Sequence, residues 1–482
     1  MDSLWNSKES VSFAGRPTAS IARHSNVEPM DKKGHARRSA GILLLGLLLL
    51  SVIPLGQAQI PKARIDSPTV PQDVDVPNGF PGNQNPIAFF DDYSWRTFIA
   101  LIWPAVTGQR GVADQTKSVG ANGTRVFETY KVLWEVFHTD GSAPSSWEQL
   151  DSASANPCNT TPHWGDLTLA SFSKFSDFGQ AGVGTLVGPL VAQPDSNPSY
   201  IRYMTAFNKI EFEHILNPDS NSPPRPLYLR KNLDAASPVT FPNGSIDIKA
   251  AWMDMRAAAH RERYYTRSVF ALNPETGKCE EITVGLVGLH IVQKTQSRPQ
   301  WIWSTFEQVD NVPPVDVGGS GKFAFNDGSG SPMPARNKYS VSPLPLPTPK
   351  PFNVVRINPI HSSTQSTNRD YRNALKGTVW ENYHLVMTQW PLIPNRPDLP
   401  GTPDQTFPGT SGATTAFANV TMETFDQAAV RSGCMNCHNF TKASSDFVWS
   451  LKDHSFPQTS PTLLLKDADF RALKSLLNEI QK

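Results

Sequence analysis

The stretch from residue 200 to residue 310 constrains the fold more than any other part of the chain. Ser245-Ile246-Asp247-Ile248-Lys249-Ala250-Ala251-Trp252 alternates with period two, the spacing that puts one side of a strand against a core. Tyr264 to Leu272 is a second strand candidate and ends at the turn-forming run Asn273-Pro274-Glu275-Thr276-Gly277. Glu281 to Lys294 and Trp301 to Phe306 follow as a third and a fourth, joined by six residues from Thr295 to Gln300. Consecutive strands with short connections predict a mainly antiparallel sheet.

Helical spacing flanks this region. In residues 86–105, Trp95, Phe98, Leu101 and Ile102 recur on one helical face, with Asp91 or Asp92 as the expected cap and Pro104 as the stop. Residues 126–138 show the same period through Val126, Tyr130, Leu133, Trp134 and Phe137. The fold class expected is therefore α+β, a mainly antiparallel β-rich large domain over 86–310 with flanking helices. Residues 59–85 read as an irregular arm. Residues 311–351 hold 9 Pro and 5 Gly and read as a linker or draped loop. Residues 352–414, including the apolar element Gly377 to Trp390, are expected to pack on the large domain. Residues 415–482 form a last, small α-helical unit, with Phe470, Leu473, Leu477 and Ile480 on one face.

Ahead of all this stands an address. Lys32, Lys33, Arg37 and Arg38 precede the uncharged run Ala40 to Gly56, and Gly56-Gln57-Ala58 has the small-x-small form of a cleavage site. Basic, apolar and small in that order predict a signal peptide over 1–58, with Met30 as an alternative start. The remainder is expected to be periplasmic or otherwise exported, or membrane-anchored if the segment is retained. With 44 basic and 43 acidic side chains there is no charge excess to attract nucleic acid.

The chain has only 4 cysteines, too few for a disulfide-dense scaffold. Two of them lie in Cys434-Met435-Asn436-Cys437-His438, a C-x-x-C-H order that reads as a c-type haem attachment site. Competing readings are a redox dithiol, a zinc site completed by His454, and a plain disulfide. Cys158 and Cys279 remain. In an oxidising compartment they are expected to form a disulfide bond, with free thiols as the alternative.

Around this motif, residues 415–482 resemble a mono-haem cytochrome c domain. More broadly, residues 86–482 resemble large bacterial exported proteins of the cytochrome c family. The runs Gly285 to Thr295, Trp301 to Glu307 and Glu381 to Leu385 carry that wider likeness. The resemblance implies one covalent haem c held by Cys434 and Cys437, with His438 as proximal iron ligand. It also implies electron transfer with a redox protein partner or a small-molecule donor or acceptor. The sequence departs from small cytochromes c in having no methionine after His438. His290 or His384 is then the candidate distal ligand, with Met387, Met422, His454 or an open position as alternatives. An open position would favour a haem-dependent oxidoreductase or peroxidase-like enzyme, and a sensor or ligand-binding protein is a further reading. Glu307 and Asp310 follow Trp303 as acidic residues near the strands, and Glu211, Glu213 and His214 have metal-ligand chemistry without a diagnostic spacing, with ordinary surface or supporting roles as the alternative.

Overall fold

In a computed structural model the chain divides into Met1–Gln57 and Ala58–Lys482. The structure describes residues 62–75, 86–171, 201–218, 225–233, 239–255, 260–273, 277–313, 323–326 and 354–390. It also describes 418–458, except 425–426, 428–432, 435–437, 439–440 and 442–444. The leader over 1–58, the helix expected near Phe470 and Cys437 lie outside the described residues.

Among the described residues, eight strands form one curled, half-barrel sheet in a mixed α+β domain. They are β1 (Lys131–Val132), β2 (Thr168–Leu169), β3 (Ile201–Phe207), β4 (Ile246–Asp254), β5 (Thr266–Leu272), β6 (Cys279–Gln293), β7 (Ile302–Gln308) and β8 (Tyr383–Gln389). Every pairing is antiparallel except β2 with β5. The long β6 organises the sheet. One edge pairs with β4, while the other is shared by β5 along its first half and β7 along its second. Tyr383 closes the fork: its hydroxyl donates to the Leu286 carbonyl at 2.9 Å and accepts from the Tyr265 N–H at 3.0 Å. Burying this hydroxyl is tolerable because both partners are supplied.

One face of β7 and β8 is covered by α1 (Pro86–Leu101). The helix is buried almost all round, since α4 (Ser362–Ala374) packs against it as well. Trp95 stacks on Tyr371 of α4 and meets Phe306 of β7 edge-on. Helix α1 starts earlier than its expected cap, with Pro86 at its first position. Asp91 and Asp92 are thus interior and buried: Asp91 accepts from Thr388 Oγ1, and Asp92 from the Tyr371 hydroxyl and Arg96. Burial pushes the Asp91 carboxyl up to about 7.

Two expectations are corrected by these contacts. Residues 126–138 are a 3-10 turn, the short β1 and the one-turn α2 (Leu133–Val136), because β1 is captured by β3. The separate small helical unit at 415–482 is not what the described residues form. Residues 418–424 lie along the sheet face opposite α1. Asn419 donates to Thr305 and to the Phe306 carbonyl, and Glu307 accepts from the Val420 N–H. Gly288 permits this approach, for a Cβ there would stand 3.2 Å from Asn419 and from Met422. Further on, α5 (Trp449–His454) leads to Phe456, whose backbone bonds with Tyr228 and Arg230.

Cys158 and Cys279 are joined, with 5.5 Å between their Cα atoms. This is the pairing expected from cysteine count and compartment.

Candidate functional site

Glu307 and His384 face each other across β7 and β8, in register as cross-strand neighbours. A cleft of 330 Å³ opens beside them. Its second wall is α4, where Gln365, Asn368, Arg369 and Arg372 recur at the helical spacing that puts them on one face. Its third is the segment before α4, which contributes Arg356, Pro359 and Ile360, and the residues after β7 add Val309, Val312 and Pro313.

The deep end is electrostatically settled. Glu307 is 1% exposed. One carboxylate oxygen accepts from the Val420 N–H at 2.6 Å, the other from Arg356, and His384 Nε2 lies 3.8 Å away. Burial alone would raise this carboxyl. The Arg356 guanidinium, His384 and the Val420 N–H outweigh it and hold Glu307 below the ordinary glutamate value, so it is ionised. His384 is lowered as well, which for an imidazole favours the uncharged form. Burial lowers it, Arg356 and Arg372 lower it further, and Glu307 opposes them without prevailing, so the imidazole is neutral at pH 7. Three guanidinium groups against one carboxylate leave the lining with a surplus of two positive charges.

Asn368 fixes the α4 wall. Its amide donates to the Leu385 carbonyl at 2.8 Å and accepts from the Leu385 N–H at 2.9 Å, taking the place of a further strand along β8. Trp95 Nε1 donates to the same oxygen.

The expected haem centre is corrected by this geometry. Iron ligation needs donors that converge. Cys434 is half-buried and packs on two apolar clusters. The His438 ring lies 4.4 Å from Trp303, and its Nδ1 is 2.7 Å from the Phe447 carbonyl. The candidate distal residues face other groups. His290 Nε2 is 3.6 Å from Glu423 and His384 faces Glu307, while Met387 and Met422 are packed in apolar clusters. His454 is buried, and burial, then Lys249 and Arg230, push it down to about 3. Among the described residues no group of three or more His, Cys, Asp and Glu side chains could hold a metal ion. The haem c cofactor, its iron and the electron-transfer role built on them are withdrawn on that finding, as is the resemblance to exported cytochrome c proteins. Comparison with family models, curated proteins and solved structures finds no match to this chain.

Glu211 and His214 do not form a metal site either. Glu213 turns outward to Lys209 at 3.6 Å, and His214 packs on Phe241. Glu211, in the first turn of α3 (Lys209–Leu216), is fully buried and neither carboxyl oxygen has a hydrogen-bond partner. Burial raises it well above the ordinary value, and Asp247 and Asp446 add to that against Lys294. A raised carboxyl contributes stability that is full below its unfolded value and is lost as pH rises through its folded value. Glu211→Met, which removes both unpartnered oxygens, is expected to stabilise the fold by about 1–3 kcal/mol at about pH 8, and by less at about pH 5. Urea denaturation at the two pH values checks this, and a loss of stability at both would refute it.

Sequence reasoning singled out Glu307 and His384 but missed Arg356, Arg369 and Arg372. Helix α4 has no apolar stripe to announce it, since it buries Thr364, Thr367, Asn368 and Tyr371. A signal that could have found it is the spacing of Gln365, Asn368, Arg369 and Arg372.

Proposed function

We propose that this protein binds a small organic anion in the cleft between α4 and the β7–β8 pair, and does so outside the cytoplasm. The observation that carries the reading is the arginine surplus. Arg356 is committed to Glu307. Arg372 donates Nε to the Glu381 carbonyl and feels the Glu381 and Asp310 carboxylates from outside the cleft, but neither it nor Arg369 meets a carboxylate among the lining residues. Guanidinium groups match carboxylates geometrically, and the apolar walls suit a hydrocarbon body. Export is supported by the basic, apolar and small order of residues 32–58 and by the Cys158–Cys279 disulfide, a bond that persists in oxidising compartments.

Titration calorimetry with phenylacetate as probe tests the reading. Arg369→Ala with Arg372→Ala is expected to weaken binding about tenfold or more, the modest scale reflecting the exposure of Arg369. Added salt should weaken binding to the unaltered protein in the same direction. Unchanged affinity in the double variant would remove the proposal.

A further inference from the structure

We infer that the ligand is a hydroxy-monocarboxylate, an organic acid whose single carboxylate sits at the cleft mouth and whose hydroxyl reaches the His384–Glu307 floor. This rests on the anion-binding reading above and names the class of anion.

The cleft is polar at both ends, and the ends differ. At the mouth Arg369 is exposed and Arg372 half-buried. At the floor the Glu307 and Arg356 side chains are 1% and 7% exposed. Positive charge at the floor is already cancelled, because Arg356 is bound to Glu307. A second anion brought there would meet the ionised Glu307 in a region shielded from water, where like charges repel strongly. The carboxylate of the ligand therefore belongs at the mouth. A cationic head fares no better at the floor, since Arg356 and Arg372 both act on His384 from adjacent walls.

What the floor lacks is a neutral hydrogen-bonding group. His384 Nε2 is buried and has no hydrogen-bond partner, for Glu307 at 3.8 Å is beyond bonding distance. A neutral imidazole offers a donor or an acceptor at that nitrogen, depending on tautomer. A hydroxyl satisfies either. It donates to a bare Nε2, or it accepts from Nε2–H and donates a hydrogen bond to the Glu307 carboxylate. A carboxylate can only accept, and both it and phosphate, which keeps a proton near pH 7, carry the charge that Glu307 rejects.

Calorimetry on the full chain with four probes tests the inference. They are 4-hydroxyphenylacetate, phenylacetate (the same body without the hydroxyl), 4-carboxyphenylacetate (with a second carboxylate in its place) and inorganic phosphate. 4-Hydroxyphenylacetate, whose hydroxyl and carboxylate stand at opposite ends of the ring, is expected to bind about tenfold more tightly than phenylacetate, the usual effect of one buried hydrogen bond, and 4-carboxyphenylacetate and phosphate more weakly than either. His384→Phe is expected to erase the preference by weakening 4-hydroxyphenylacetate alone. His384→Gln, which keeps a hydrogen-bonding group, should retain part of it. Equal binding of 4-hydroxyphenylacetate and phenylacetate, or tighter binding of 4-carboxyphenylacetate or phosphate, would overturn the hydroxyl assignment and leave the anion site standing. No binding of any probe would overturn both. The comparison of probes on the unaltered protein decides the matter even where His384→Phe fails to fold.

Discussion

Lys294→Met is expected to destabilise the protein by about 3–5 kcal/mol, the penalty for leaving one member of a buried ion pair behind. Lys294 follows β6, and its ammonium lies 2.5 Å from Asp446, with the two side chains 3% and 0% exposed. The same Asp446 oxygen accepts from the Phe241 N–H at 2.8 Å, and the Asp446 carbonyl accepts from Trp301 Nε1 at 3.0 Å. Without the ammonium, Asp446 must fold protonated. Burial already raises this carboxyl against the pull of Lys294, so the deficit should grow with pH, smaller at about pH 5 than at about pH 8. Asparagine suits position 446, where φ is 48°. Lys294→Met with Asp446→Asn should accordingly recover much of the loss. Urea denaturation of the single and double variants measures this. A loss below about 1 kcal/mol, or one independent of pH, would show that the pair does not seat residues 445–458 on the sheet.

The second large effect concerns the disulfide. Cys158→Ser with Cys279→Ser is expected to cost about 4–5 kcal/mol, because the bond closes a long loop in the unfolded chain and loop entropy grows with length. The sequence separation is 121 residues, and Cys279 begins the strand around which the sheet is organised. Thermal unfolding with and without reductant provides the comparison. The serine variant should match the reduced native protein. A reduced protein as stable as the oxidised one would refute the estimate.

Some of this was legible in the sequence because it depends on local spacing. The period-two run at 245–252 and the strand candidates at 264–272, 281–294 and 301–306 became β4 to β7 within a few residues at each end. The apolar density at 86–105 became α1, and the bridge was found by setting Cys434 and Cys437 aside for a haem, so the pairing was right although that premise was not. Where local period met a partner, it lost. Tyr130 and its neighbours read as helix, yet Lys131 and Val132 pair with Phe207 and Ala206. Asp91 and Asp92 read as caps, yet Thr388, Arg96 and Tyr371 supply partners that let them lie buried inside α1.

The sequence by itself determined the sheet-forming segments, the first helix and the cysteine pair, since each depends on residue type at short spacing or on a count. Only the tertiary structure decided the site. Glu307 and His384 are 77 positions apart and meet through the register of β7 with β8. Arg369 and Arg372 come from a helix whose buried face is polar, so no hydrophobic period marks it. The charge states were decided there too. The same glutamate side chain is ionised at position 307 beside Arg356 and protonation-prone at position 211 without a hydrogen-bond partner, because ionisation answers to burial and neighbouring charge, and both exist only once the chain is folded.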